Sequence, residues 1–303
     1  MMAGTMAPAP PLPARSRVRR TVPALLAVAA LLVLAACGGG DDTPRSPHGA
    51  AYAALGDSES AGAGIAPTAD PGCLRSRRNY PALVAKKLHY SSFEDTTCSG
   101  AQTTDLLRPQ FTQTDTTNDP QLDAVGSRTK LVTLTIGLND DKVAFSLLQA
   151  CVSKTGEPSA LCRTVLGATD QQVDQQLTKA ARRVADTLTL IRRAAPKARI
   201  VLVGYPRFLP DAGSCPDRYP LVPAMAPRLR SALEMVNQKW KDVAAAAGVD
   251  YVDTWTMSAG HDVCSDDPWV NGSETQPGKA VALHPFEAFH EAVAKKIVKL
   301  LGK

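Results

Sequence analysis

An apolar run leading into a turn of small residues decides the fold of this chain: Ala51-Tyr52-Ala53-Ala54-Leu55-Gly56-Asp57-Ser58-Glu59-Ser60-Ala61-Gly62-Ala63-Gly64. The run that ends at Leu55 has the length and the flanking glycine of a buried strand. The glycines that follow allow the backbone to approach a ligand closely. Ser58 is therefore predicted at the carboxyl end of a strand, where open α/β sheets bind ligands and a hydroxyl is a candidate nucleophile. Taken alone, these residues fit a plain Gly/Ser turn equally well.

Strand and helix patterns alternate along the rest of the chain. Apolar residues at helical spacing predict helices over 79–90, 173–191, 229–247 and 285–301. Runs rich in β-branched residues predict strands at 130–136, 198–203 and near 250–252. Such alternation is typical of a mostly parallel sheet covered by helices on both faces. We therefore expect a single α/β domain, a three-layer α/β/α sandwich, over residues 50–303.

The first 36 residues have the pattern of an export signal. Four arginines precede an apolar run of about 15 residues, which is short for a membrane span of about 20 residues. The run ends in Leu34-Ala35-Ala36-Cys37, which resembles a bacterial lipobox, in which the cysteine is acylated and becomes the mature N-terminus. We predict a lipoprotein signal at 1–36 and a flexible tether at 37–49, with a protein that is lipid-anchored in the cell envelope. If Cys37 is not modified, the protein is secreted.

Charge argues against a nucleic-acid partner. The chain has 303 residues with 34 Lys+Arg and 29 Asp+Glu, and four of the arginines lie in the predicted signal. Removal of the predicted signal leaves a chain with 30 basic and 29 acidic residues. This chain has no basic patch of the kind that binds nucleic acid.

Six cysteines follow Cys37, an even number that indicates disulfides in an exported protein. They can pair in 15 ways, and spacing alone selects none of them. We favour sequential pairing, which closes a short loop between the third and fourth. The absence of a CxxC motif argues against a zinc site. The six are Cys73, Cys98, Cys151, Cys162, Cys215 and Cys264.

Residues that could assist Ser58 follow other predicted strands or precede the last helix. Asn139 follows the strand that ends at residue 136, and its amide could donate to an oxyanion, although a simple turn also explains it. Gly100 could present a backbone N–H to a substrate. His284 precedes Pro285 at the entry to the last helix, which is a good place for a base, whereas His290 is predicted to be a packed or surface residue of that helix.

These blocks, in this order, resemble the SGNH hydrolases, also called GDSL esterases and lipases. The blocks are Gly56-Asp57-Ser58-Glu59-Ser60, Gly100, Gly137-Leu138-Asn139-Asp140 and His284-Pro285, and they span almost the whole mature domain. The six cysteines, Gly204-Tyr205-Pro206 and Gly260-His261-Asp262-Val263-Cys264 are similar to the secreted actinobacterial branch, which has three sequential disulfides.

The resemblance implies a role for each block. Ser58 would be the nucleophile and His284 the base, while an oxyanion hole would be formed by the Ser58 N–H, the Gly100 N–H and the Asn139 side chain. The family usually has an aspartate three residues before the histidine, where this chain has Val281. Some actinobacterial members use a main-chain carbonyl instead, so we expect the Val281 carbonyl to orient His284. The alternative is a carboxylate from Asp262, Asp266 or Asp267.

The expected function is hydrolysis of carboxylic esters by an exported serine esterase or lipase. The expected enzyme is monomeric, acts on a small-molecule or lipid ester through an acyl-enzyme on Ser58, and needs no metal or organic cofactor. Two alternatives stay open at this point: a polysaccharide O-acetylesterase, and a non-catalytic surface lipoprotein that uses the same fold to bind.

Overall fold

Nine strands are present in residues 49–303, the part of the chain that the computed structural model describes. The predicted signal, Cys37 and nearly all of the predicted tether lie outside it. In chain order the strands are β1 (Tyr52–Gly56), β2 (Thr68–Asp70), β3 (Arg75–Ser76), β4 (Phe93–Asp95), β5 (Gln110–Phe111), β6 (Thr117–Asn118), β7 (Leu131–Thr135), β8 (Arg199–Val203) and β9 (Asp250–Val252).

Five of these strands form a parallel sheet in the order β4-β1-β7-β8-β9. In its middle, Tyr52 of β1 lies opposite Phe93 of β4 and Leu131 of β7. The other four strands form two antiparallel hairpins, β2–β3 and β5–β6. Because the five strands are parallel, the segments that follow their carboxyl ends leave the sheet at the same edge.

Seven α-helices accompany the strands in the described residues: α1 (Ser58–Ala61), α2 (Tyr80–Leu88), α3 (Ala160–Gly167), α4 (Asp170–Ala194), α5 (Met225–Ala247), α6 (Thr254–Met257) and α7 (Glu287–Leu300). Short 3₁₀ helices lie at Thr103–Leu106, Gln121–Ala124 and Asp140–Lys142, and a π-helical turn lies at Phe145–Gln149. None of the helices in the described range is both long and apolar enough to cross a bilayer.

The two faces of the sheet are covered by different helix pairs. Alternate residues of a strand point to opposite faces, so Tyr52 and Ala54 of β1 pack with α2 and α7, whereas Ala53 and Leu55 pack with α4 and α5. At the centre of the second layer, the fully buried Trp240 of α5 donates from Nε1 to the Ile136 carbonyl at 2.9 Å. The three-layer α/β/α fold predicted from the sequence is confirmed.

The long predicted elements are confirmed to within a few residues. The helix predicted over 173–191 is part of α4, which begins after a capping box at Thr169 and ends two residues before Pro196. The edge strand β4, the two hairpins and the helices α1, α3 and α6 were not predicted.

Three disulfides confirm the sequential pairing. They join Cys73 to Cys98, Cys151 to Cys162 and Cys215 to Cys264. The first attaches the loop before β3 to the segment that leads from β4 to Gly100.

Candidate active site

Ser58 lies just past the carboxyl end of β1, as predicted, and begins α1. Asp57 caps this helix because its Oδ1 accepts from the Glu59 N–H at 3.1 Å, while the Asp57 N–H continues the sheet pairing to the Thr135 carbonyl at 2.9 Å. The serine is 8% exposed. Within the described residues, neither its hydroxyl nor its backbone N–H makes a hydrogen bond.

Gly100 is brought to the same edge by the segment that follows β4. The Cys98 N–H donates to the Gly56 carbonyl at 3.0 Å, which places this segment beside the start of the Ser58 block. Gly100 has φ +81°, a left-handed conformation that glycine adopts without strain. Its N–H donates to no acceptor in the described part of the chain, and the residue is exposed.

Asn139 follows β7 and contacts the Gly100 segment directly. Its Nδ2 donates to the Ala101 carbonyl at 3.0 Å, which leaves the second amide hydrogen free for another acceptor. The neighbouring Asp140 accepts from the Thr103 N–H at 2.9 Å and the Thr103 hydroxyl at 2.7 Å. These bonds hold the Asn139 block against the Gly100 block.

The imidazole of His284 is oriented by a main-chain carbonyl, but the carbonyl predicted from the sequence is wrong by one residue. His284 Nδ1 lies 2.7 Å from the Ala282 oxygen. The Val281 oxygen instead accepts from the His284 N–H at 3.3 Å and from Asn271 Nδ2 at 3.1 Å, because Leu283 has φ +64° and closes a tight turn. The Nδ1–H donor to a carbonyl leaves Nε2 as the basic nitrogen.

None of the three alternative carboxylates contacts His284. Asp262 accepts from the Cys264 N–H at 2.9 Å, and Asp267 pairs with His261, which stacks on Trp269. Burial lowers the pKa of His284, and the hydrogen bond with Ala282 opposes that shift without reversing it. The neutral imidazole is therefore favoured.

The loop that carries His284 is attached to the turn that follows α1. The Val281 N–H donates to the Ala63 carbonyl at 3.0 Å. No hydrogen bond joins the Ser58 hydroxyl to His284 within the described residues, and such bonds are often long in unliganded enzymes. This backbone contact joins the loop that carries His284 to Ala63, which lies five residues after Ser58 in the sequence.

Two buried carboxyl groups flank Ser58. Asp57 Oδ2 accepts from the Tyr205 hydroxyl at 2.6 Å, and burial raises the pKa of Asp57 to about 7 although this bond lowers it. Burial, with the nearby Asp57 charge, also raises the pKa of Glu59 well above its usual range. Burial thus favours the uncharged forms of both carboxyl groups, which reduces the negative charge beside Ser58.

Comparison with known proteins assigns these blocks to one family. The profile of the GDSL-like lipase/acylhydrolase family matches residues 54–292. The chain belongs to this family.

Similar proteins carry lipase and phospholipase names. Lipase 2 of Streptomyces coelicolor is 34% identical over 266 residues, covering 83% of this chain and 85% of that protein. The crystal structure of phospholipase A1 from Streptomyces albidoflavus is 28% identical, with a TM-score of 0.67 over 83% of this chain and 98% of that one. The extracellular lipase from Streptomyces rimosus is 28% identical, with a TM-score of 0.65 over 80% and 98%. Together with the family match, these likenesses identify this GDSL-family protein as a carboxylic ester hydrolase.

Several polar residues beside the candidate site were missed or left without a role in the sequence analysis. The Tyr205 hydroxyl donates to Asp57 and accepts from the Leu138 N–H at 3.3 Å, so it links these two residues. The side chain of Asn271 donates to the Ala280 and Val281 carbonyls, and its N–H donates to the His284 carbonyl at 2.9 Å. The partners named here lie at least nine residues away in sequence, so no local pattern predicts these contacts; only Gly204-Tyr205-Pro206 was noticed, as part of the family resemblance.

His290 is buried, so of the two positions left open by the sequence, packed or surface, the packed one is observed. Its Nδ1 accepts from the Tyr80 N–H at 3.1 Å. Nε2 has no partner in the described range. In residues 49–303 no group of three or more His, Cys, Asp or Glu side chains is placed to hold a metal ion.

Proposed function

We propose that this family member is an exported serine esterase in which Ser58 is the nucleophile, His284 the general base, and Ser58, Gly100 and Asn139 the oxyanion hole. The observation that carries the proposal is the set of free donors at one sheet edge. The Ser58 and Gly100 N–H groups have no acceptor in the described residues, and Asn139 has one amide hydrogen to spare. Free main-chain and amide donors grouped beside a candidate nucleophile are what stabilisation of an oxyanion requires.

The proposed reaction has two balanced halves. Ser58 Oγ attacks the ester carbonyl while its proton moves to His284 Nε2, and the three donors hold the resulting oxyanion. The tetrahedral intermediate collapses as Nε2 returns the proton to the leaving alkoxide, which departs as the alcohol. Water then attacks the acyl-enzyme, giving its proton to Nε2. Collapse of the second intermediate releases the carboxylic acid, and Ser58 Oγ takes the proton back.

A carbonyl partner makes this a Ser-His dyad. The Ala282 oxygen fixes the tautomer and the orientation of the imidazole, which a carboxylate does in the Ser-His-Asp triad. Because a neutral carbonyl stabilises the imidazolium less than a carboxylate, the dyad depends more strongly on its oxyanion hole.

Replacement of the nucleophile tests the assignment. Ser58→Ala should abolish hydrolysis of short p-nitrophenyl esters and labelling by a fluorophosphonate, with an unchanged circular dichroism spectrum. The nearby Ser60, whose hydroxyl donates to the Asp57 carbonyl at 2.9 Å, serves as the control, since Ser60→Ala should keep labelling. Full activity in Ser58→Ala would refute the nucleophile. A wild-type protein that is inert to every ester and to the probe would support the binding-lipoprotein alternative.

The substrate class we favour is a lipid or other acyl ester, because the relatives named above are lipases and a phospholipase A1. Rates measured over esters of increasing acyl length should rise beyond acetyl. A sharp preference for acetyl would favour the O-acetylesterase alternative instead.

We also propose that Cys37 is acylated after removal of residues 1–36, which places the enzyme on the outer side of a membrane. Three disulfides are consistent with folding in an oxidising compartment outside the cytoplasm. Mass spectrometry of the mature N-terminal peptide should find a diacylglyceryl group on Cys37; an unmodified cysteine would indicate secretion without an anchor.

A further inference from the structure

The peptide group between Ser99 and Gly100 carries one of the proposed oxyanion donors. In a planar trans peptide the C=O of one residue and the N–H of the next point in opposite directions. The direction of the Gly100 N–H is therefore fixed by whatever holds the Ser99 carbonyl. Gln110 does this, because its Nε2 donates to the Ser99 oxygen at 2.8 Å.

Few other contacts hold this peptide. The Ser99 N–H donates to the Cys73 carbonyl and the Ala101 N–H to the Cys98 carbonyl, so the main chain fixes the peptides on either side of it. A Cβ built on Gly100 would have Gln110 Nε2 at 3.8 Å and, apart from the two adjacent residues of the chain, no other atom of residues 49–303 within 4 Å. Gln110 is the side chain packed against this glycine.

Gln110 is itself held in place by the β5–β6 hairpin. It is 9% exposed, and its cross-strand partner is Asn118, which is 8% exposed. Asn118 Nδ2 donates to the Thr96 carbonyl at 3.1 Å. The side-chain amides of Gln110 and Asn118 thus attach the β5–β6 hairpin to the segment that follows β4. Of the two, only Gln110 bonds to the peptide that carries the Gly100 N–H.

We infer that Gln110 is a positioning residue of the oxyanion hole, acting through the Ser99–Gly100 peptide. This inference rests on the proposed role of Gly100. A hydrogen bond to the carbonyl of an amide polarises the whole group and strengthens its N–H as a donor. Oxyanion donors also act by being oriented before the reaction begins. Gln110 supplies both effects without touching the substrate.

The paired amides provide a matched experiment. Gln110→Ala and Asn118→Ala each remove one buried amide from the same hairpin, and both should lower the melting temperature. Only Gln110→Ala should reduce kcat, by about tenfold, with KM nearly unchanged, since removal of a whole oxyanion donor costs about 10² to 10³. Asn118→Ala should keep kcat within about twofold. Gln110→Met, whose side chain has a similar volume but no hydrogen-bond donor, should show the same loss of kcat as Gln110→Ala. If Gln110→Ala does not fold, Gln110→Met is the variant to be measured.

A second readout separates positioning from loss of stability. Affinity for an alkyl boronic acid, which forms a tetrahedral adduct with the serine, should fall in the Gln110 variants by the same factor as kcat/KM and stay constant in Asn118→Ala. Equal kcat losses in the Gln110 and Asn118 variants, or full kcat in Gln110→Met, would overturn the inference. In either case an inactive Ser58→Ala variant would leave the proposed function standing, whereas an active one would overturn that function.

Discussion

At His284, burial and a hydrogen bond change proton affinity in opposite directions. Burial lowers the pKa below the usual 6.5, and the Ala282 carbonyl raises it by less. In the proposed mechanism only the neutral imidazole can take the Ser58 proton, so a lowered pKa of His284 keeps the enzyme active in more acidic solution. We expect the acid limb of kcat/KM to have a midpoint below 6.5, measured with p-nitrophenyl esters at the isosbestic wavelength of the product.

The control for that profile is His261, a half-buried imidazole that stacks on Trp269 at 4.0 Å between ring centroids. His261→Asn should leave the acid limb in place. A midpoint at or above 6.5 in the wild-type enzyme would show that burial does not dominate the pKa of His284, as would be the case if a carboxylate lay nearby.

The same imidazole shows where sequence reasoning stops at the scale of single residues. The absence of the usual aspartate at Val281 suggested a main-chain partner, and a main-chain oxygen, that of Ala282, lies 2.7 Å from His284 Nδ1. The choice between the Val281 and Ala282 oxygens depends on Leu283 at φ +64°, a conformation that bulky residues rarely adopt. No residue-type preference indicates such a turn, so the predicted acceptor was one residue away from the observed one.

At the scale of elements, the turn after α1 and the loop before His284 touch backbone to backbone. Gly64 has φ +89°, and a Cβ there would lie 2.6 Å from the Val281 nitrogen and 2.9 Å from the Ala280 carbonyl carbon. Gly64→Ala must therefore shift the loop that carries His284, the proposed base, relative to the turn that follows Ser58, the proposed nucleophile. We expect kcat/KM to fall about 100-fold, since a displacement of about 1 Å can cost that much, together with a lower melting temperature.

Gly156→Ala separates this displacement from backbone strain. Gly156 has a similar φ of +76°, and a Cβ there would meet no atom within 4 Å. Both variants should lose stability through the unfavourable conformation, but Gly156→Ala should keep its kcat/KM. Equal activity losses in the two variants would show that the close approach at Gly64 is unimportant.

Predictability from sequence also differs between elements. The helices α4 and α5, of 25 and 23 residues, repeat their apolar spacing often enough for the pattern to be unambiguous. The hairpin strands have two or three residues each, fewer than a period-2 pattern needs. Gln110 was missed for this reason: its role depends on a hairpin that leaves almost no signal in the sequence.

For the whole molecule, two buried groups set opposite limits on stability. Burial raises the pKa of Asp57 from 3.8 to about 7, so its contribution to the unfolding free energy is fully present below 3.8 and is lost as pH rises through about 7. Burial lowers the pKa of His290 from 6.5 to about 3, so its contribution is present above 6.5 and is lost as pH falls towards 3. These two groups together favour a stability maximum in mildly acidic solution.

His290→Asn tests the acidic side of that maximum. Asparagine can place an oxygen near the position of Nδ1 and keep the acceptor for the Tyr80 N–H, but it does not titrate. On acidification from about pH 7 to about pH 4, His290 should lower the unfolding free energy of the wild-type protein by about 3 kcal/mol, or the melting temperature by roughly 10 °C. The reason is that His290 becomes protonated in the unfolded chain but stays neutral when it is buried. The melting temperature of His290→Asn, followed by circular dichroism, should therefore fall less on acidification than that of the wild type. The melting temperature of His89→Asn, which alters an exposed histidine, should fall as far as that of the wild type. If the melting temperature of His290→Asn fell just as far, burial of this imidazole would not control acid stability.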